Sequence, residues 1–230
     1  FVDAPLLFHN SAMRKRYVGP ADVFLSHCWQ APFGDLVGAA CHTLSDLEIQ
    51  QRFVWLDIFA VRQWSGNHAD LAFRGVIQRC KRLKVSLSTS VAGEMATQVL
   101  TKSFIDTDRG QSLTKCIAFY RLWCVVELAS AKKQSVTMDL LVGSCKFKYP
   151  PEETTGSSIK CRTKCRTKCR TYDTSGAQCL LRNLLVFAPN LASAQCAVPT
   201  DYERELNIIQ QEPGGINLLN DCIAFVLIGA

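Results

Sequence analysis

The chain has no apolar run long enough to cross a bilayer as a helix, which needs ~20 consecutive apolar residues, so no membrane partner is expected. It has no glycine-rich dinucleotide fingerprint and no phosphate loop, which argues against NAD as a hydride-carrying cofactor. Net positive charge is confined to one short segment. Lys160, Arg162, Lys164, Arg166, Lys168 and Arg170 account for the whole net charge of +6, so the remainder is neutral and no nucleic-acid partner is expected. Zinc sites usually pair two closely spaced ligands with a second, distant pair. Cys161, Cys165 and Cys169 lack that second pair, so no metal site is expected. Because the sequence begins with Phe1 rather than Met, the lack of a signal peptide carries little weight.

What is present suits one ordinary domain. The chain has 230 residues, of which 48% are hydrophobic, enough for a substantial core. Its twelve cysteines would suggest a disulfide scaffold in a short secreted chain. Here Cys41, Cys80, Cys116, Cys124 and Cys222 lie in apolar segments, where a free thiol behaves as a small buried hydrophobe. A reduced, cytoplasmic location is the preferred reading.

Alternating apolar strands and amphipathic helices set the expected fold. Residues 22–26 read as a short buried strand ending in Ser26-His27-Cys28-Trp29. A helix from Asp35 follows, with Leu36, Val37, Ala40, Leu44 and Leu47 on one face and Asp35 suited to the helix dipole. Residues 53–59, FVWLDIF, read as a second strand, apolar on both faces, that runs into a loop holding Trp64 and His68. A helix over about 70–80 and a strand over 83–88 complete a strand–helix repeat, which argues for a doubly wound parallel sheet. Residues 91–115 break the rhythm and read as a lid, a surface excursion or a poorly ordered insertion, because loops in compact domains have a median of ~5 residues. Further strands are expected at 136–142 and 184–187, and helices at 201–211 and 217–228. Residues 145–178 carry KCRT three times and read as low-complexity chain with no imposed structure. Residues 1–20 are an extension; 21–230 are a single domain with irregular insertions at about 91–115 and 145–178.

The stretch 117–133, IAFYRLWCVVELASAKK, reads as a helix that is apolar almost all the way round, yet it holds one carboxylate, Glu127. Its neighbours at three and four residues are Trp123, Cys124, Ser130 and Ala131, so no cation pairs with it locally. Such an acid finds a distant partner, shifts its pKa or faces a cleft that uses its charge. A site-facing carboxylate is preferred over a remote salt bridge.

Three pieces then line up: ADVFLSH ending the first strand, VWLDIF in the second, and LWCVVEL in the helix. Together they resemble the Toll/interleukin-1 receptor (TIR) superfamily, notably divergent TIR-like domains with an SH-x-W element after the first strand. The W-C-x-x-E-L signature is the most specific part, and the resemblance covers about residues 21–143. It implies a flavodoxin-like fold with five parallel strands in the order 2-1-3-4-5 and helices on both faces. It also implies an intracellular signalling module that self-associates or binds other TIR-like domains. Many such domains cleave NAD, as a substrate, at the nicotinamide–ribose bond with the motif glutamate, which is Glu127 in this chain. The alternative is a non-catalytic interaction module. The polar stretch 91–115 and the KCRT repeat depart from the family pattern.

In a doubly wound sheet ligands sit beyond the carboxyl ends of the strands, where strand order reverses. Ser26, His27 and Trp29 fall there. Cleaving a bond to ribose develops oxocarbenium-like charge, which a carboxylate can stabilise. Trp29, Trp64 and Trp123 are candidates to stack a ring, with core packing as the other reading; for Trp55 core packing is preferred. His27 reads as a structural hydrogen-bonder or a phosphate or ribose contact, and Asp57 as a loop-orienting acid or a cap. Cys28 and Cys124 raise a thiol-nucleophile reading, but the apolar context of Cys124 favours an inert thiol.

Overall fold

A computed structural model of the chain describes residues 19–42, 44–60, 73–147, 170–196 and 198–228. Residues 1–18, the Trp64 and His68 loop, and the whole KCRT repeat except Arg170 and Thr171 lie outside the described residues. Strand β1 (Val23–His27) is buried along its whole length, as a central strand flanked on both faces must be. Helix α1 (Phe33–Cys41) begins after Pro32 and stops where His42 becomes extended. Helix α2 (Asp46–Gln51) then starts afresh at a capping box, in which Ser45 and Glu48 each satisfy a backbone N–H of the other. The single helix expected from Asp35 through Leu47 is therefore two, and Leu47 is 63% exposed rather than inward.

Strand β2 (Val54–Trp55) is shorter than the expected 53–59, because α3 (Asp57–Ala60) takes over at once. Asp57 Oδ1 accepts the Ile58 N–H at 2.7 Å, a local bond that favours a helical start over continued strand. Then come α4 (Arg74–Arg79), β3 (Arg82–Ser88), α5 (Glu94–Thr97) and α6 (Asp108–Thr114). The helix expected from 117 opens as a 3-10 turn, Ala118–Tyr120, before α7 (Leu122–Lys133). The rest is β4 (Thr137–Phe147), β5 (Arg170–Asp173), α8 (Ala177–Phe187), α9 (Pro199–Gln211) and α10 (Gly215–Ile228).

The sheet has the order β2-β1-β3-β4-β5. The first four strands are parallel, with Ser26 beside Val85 and Val85 beside Leu140 in register; the expected fifth parallel strand is instead antiparallel, β5 running against β4. This is an α/β, flavodoxin-like architecture with its strand order reversing between β1 and β3. Phe24 of β1 joins a large core with Val125 and Leu128 of α7 and Ile223 of α10. Leu25 meets Leu36 of α1 and Leu56 in a separate cluster. Alternate residues of one strand thus serve opposite faces.

Two expectations are corrected by packing. The apolar run 184–187 is the end of α8, not a strand: Leu180, Asn183, Leu184 and Phe187 are its buried residues, at helical spacing. The fifth strand comes instead from Arg170–Asp173, which begins with the last two residues of the repeat. Residues 91–115 are ordered as two helices and a 3-10 turn over Lys102–Asp106. Fully buried Asn183 holds this segment, donating to the carbonyls of Met95 and Gln98 at 2.8 Å each and accepting the Leu100 N–H at 2.9 Å.

Lys84 of β3 is 6% exposed, and its Nζ reaches the Ala40 carbonyl of α1 at 3.4 Å. Burial pulls its pKa below the ordinary value of 10.5, opposed by Asp139. With the folded pKa depressed, the unfolded chain binds more protons between the two values, so stability rises with pH through that window. Lys84→Met is expected to stabilise the fold by about 1 kcal/mol at neutral pH and to flatten this rise, measured by urea unfolding from pH 7 to 10. A loss of stability would show that the amine is needed in place.

Candidate functional site

The carboxyl end of β1 collects most of the residues singled out from the sequence. Alternation along the strand directs Ser26 to the α7 face, and both Ser26 (1% exposed) and Glu127 (7%) are buried. Glu127 has no described cation beside it. The Ser26 hydroxyl lies near enough to favour its charged form, yet neither Ser26 Oγ nor Glu127 Oε2 completes a hydrogen bond. Burial pushes the Glu127 carboxyl well above its ordinary value; Ser26 opposes the rise and the charge of Asp57 adds to it.

His27 is also buried, and its Nε2 lies 3.5 Å from Asp57 Oδ1 without completing a hydrogen bond. Burial lowers the His27 pKa, with Asp57 pulling the other way. Asp57, first residue of α3, also accepts the indole N–H of Trp29 at its Oδ2, 2.5 Å away. Trp29 is 55% exposed, and the nearby apolar side chains Phe33 and Ile58 are exposed too.

Ser26, His27, Trp29, Asp57 and Glu127 are therefore brought to one locus. Trp123 is turned elsewhere: its ring meets Phe73 edge-on at 5.7 Å and lies 5.8 Å from the Arg204 guanidinium. Trp64 lies outside the described residues. Trp55 stacks on Phe24 at 4.3 Å, a core role.

The thiols are inert in character. Cys124 donates to the His27 carbonyl at 3.2 Å, and burial, with Glu127 adding to it, raises its pKa well above the ordinary value. Cys28 lies 2.8 Å from the Lys115 carbonyl and is likewise raised by burial. A raised thiol pKa leaves little thiolate to act as a nucleophile. No group of three or more metal-ligating side chains is found among the described residues.

Sequence reasoning missed Arg121, the N-cap residue of α7, whose charge opposes the rise at Cys28. It also saw Asp35 only as a dipole partner. Asp35 is buried and accepts from the Ser88 and Ser90 hydroxyls at 2.5 and 2.6 Å and the Cys145 N–H at 2.7 Å, tying α1 to β3 and β4. Those partners lie more than fifty residues away, beyond any local pattern. A cavity of about 180 Å³ opens on another flank of α7, between Arg74, Ser130, Lys133 and Ile209, and contains none of the candidate residues.

Fold and site together define an α/β, flavodoxin-like protein with a buried carboxyl that has no cation beside it among the described residues. No family model matches the chain, and neither a curated protein nor a solved structure matches it. No helix among the described residues is long and apolar enough to cross a membrane.

Proposed function

We propose that the chain is a TIR-like signalling domain that cleaves NAD at the nicotinamide–ribose bond, with Glu127 as the catalytic carboxylate. One observation carries this reading. Among the described residues six buried polar atoms lack hydrogen-bond partners; Ser26 Oγ, His27 Nε2 and Glu127 Oε2 belong to the end of β1 and the helix beside it, and the other three are the Tyr120 and Tyr172 hydroxyls and Gln134 Oε1. Unpartnered buried polar atoms destabilise a fold, so the gathering of the first three at a strand-order reversal favours a ligand that completes them. A ribose supplies a hydroxyl for Ser26, and its developing positive charge supplies the counter-charge that Glu127 lacks. Nicotinamide departs as a neutral group, so no strong general acid is required.

The resting carboxyl is pushed toward its neutral form, and a cationic substrate draws it back toward the charged one. The acid limb of kcat/KM is therefore expected at a pH above the ordinary glutamate value of 4.5, with activity falling as the pH drops through it. A pH–rate profile checks this; an acid limb at or below 4.5 would argue against Glu127 as the titrating group.

A second reading, self-association with its own kind or with other TIR-like domains, is favoured by Leu47 and Ile49 exposed on α2 and Val54 exposed in the two-residue edge strand β2. Sedimentation at increasing concentration tests it, and assembly that is unchanged in a Glu127→Gln variant would separate it from catalysis. Buried thiols at Cys28, Cys80, Cys124 and Cys222 favour a reducing, cytoplasmic setting.

A further inference from the structure

Asp57 links buried His27 to exposed Trp29 at the end of β1. Its Oδ2 takes the Trp29 indole N–H at 2.5 Å and its Oδ1 lies 3.5 Å from His27 Nε2. The backbone beneath it is fixed, since Leu56 is buried against Leu25 and Leu36. Trp29 is otherwise a large ring left 55% exposed, a side chain that would sample several rotamers in water. A bond from its N–H to a charged acceptor is of the stronger kind and selects one orientation. Phe33 (51%) and Ile58 (37%) are exposed as well. A ligand that meets both the exposed ring and the buried polar groups carries a flat ring and hydroxyls.

We propose that Asp57 is a positioning residue that locks Trp29 as a stacking platform for the flat heteroaromatic base of a nucleoside-class substrate. This rests on the ligand-binding reading of the β1 edge given above. Asp57 itself contributes no step to bond cleavage; it fixes the ring against which the base is held, so its effect falls on binding.

The test uses the full chain with two readouts. In the first, kcat and KM for NAD are compared among wild type, Asp57→Ala, Asp57→Asn and Trp29→Phe. Asp57→Ala is expected to raise KM about tenfold, in line with the loss of one base–aromatic stack, while kcat changes by less than about threefold. Asp57→Asn, whose amide oxygen still accepts the indole N–H, is expected to recover most of that loss. Trp29→Phe keeps a ring without the N–H and is expected to fall between them. In the second readout, AMP is titrated against tryptophan fluorescence. Quenching in wild type should vanish in Trp29→Phe and need about tenfold more AMP in Asp57→Ala.

If NAD is cleaved but neither KM nor AMP quenching responds to Asp57 or Trp29, the platform is wrong and the cleavage reading stands. If AMP quenches Trp29 but no NAD is consumed, the cleavage reading falls and the platform stands. An Asp57→Asn variant as impaired as Asp57→Ala would overturn the tether. Should Asp57→Ala fail to fold, the exposed-site variant Trp29→Phe and the near-isosteric Asp57→Asn decide the outcome alone.

Discussion

Glu127→Gln is expected to abolish NAD cleavage while making the protein more stable. The two effects have one cause. In the folded state the carboxyl is buried without a described cation, so ionisation is opposed and the group is held toward its neutral form. Its folded pKa is raised above the unfolded value, so its favourable contribution is present below the unfolded value and is lost as pH rises through the folded one. Wild-type stability should therefore decline above about pH 4.5, and the glutamine variant should lack that decline. Near neutral pH the variant should gain on the order of 1 kcal/mol. Catalysis moves the other way: removing a charge that stabilises the transition state lowers kcat by ~10²–10³-fold. A glutamate held in a distant salt bridge gives the opposite stability result, because its loss strands a cation. Chemical unfolding of both proteins from pH 4 to 8, alongside their NAD turnover, separates the two.

The second large effect is expected at Asn183. Replacing it with Leu keeps the volume roughly constant but removes the amide that serves Met95, Gln98 and Leu100. Each buried backbone group left without a partner is destabilising by ~1–3 kcal/mol, partly relieved by water entry, so a net loss of about 3 kcal/mol is expected. In a chain of this length that lowers Tm by roughly 10 °C. Calorimetry checks the value. Hydrogen exchange should show protection lost first between residues 94 and 100, since Asn183 bonds the chain at Met95, Gln98 and Leu100. A Tm unchanged within a degree or two would mean that the segment is held by its apolar contacts alone.

Asn183 also shows where sequence reading stops. The parallel strands β1 and β3 and the helix α7 were legible, because continuous apolar runs and a nearly all-apolar helix have few other solutions. The strand order followed from the resemblance and agrees with the sheet observed. By contrast, residues 91–115 look structureless in isolation, since the amide that organises them sits more than eighty residues away. The run Leu184–Leu185–Val186–Phe187 has strand-like composition, and only the spacing back to Leu180 and Asn183 reveals a helix. The break between α1 and α2 was within reach, because Ser45 and Glu48 carry the capping-box signature in the sequence itself.

The site was legible in much the same proportion. Ser26, His27 and Glu127 were singled out from motif and strand end; Ser26 and His27 end β1, and the Ser26 hydroxyl lies near the Glu127 carboxyl. The part played by Asp57 was not visible, since the Trp29 bond crosses 28 residues and depends on β2 ending early. Helical spacing put Trp123 one turn before Glu127, but the ring packs toward Phe73 and Arg204, where α4 and α9 offer an aromatic edge and a cation. Spacing gives direction about a helix axis; it does not say which neighbour fills the space.

The most direct test of the central claim is nicotinamide release from NAD by purified wild type and Glu127→Gln, followed by chromatography at matched and high protein concentration. The account predicts time-dependent release by wild type, with the variant reduced ~10²–10³-fold and still cooperatively folded. Equal release by both proteins, or none by wild type even when concentrated enough to assemble, would contradict it.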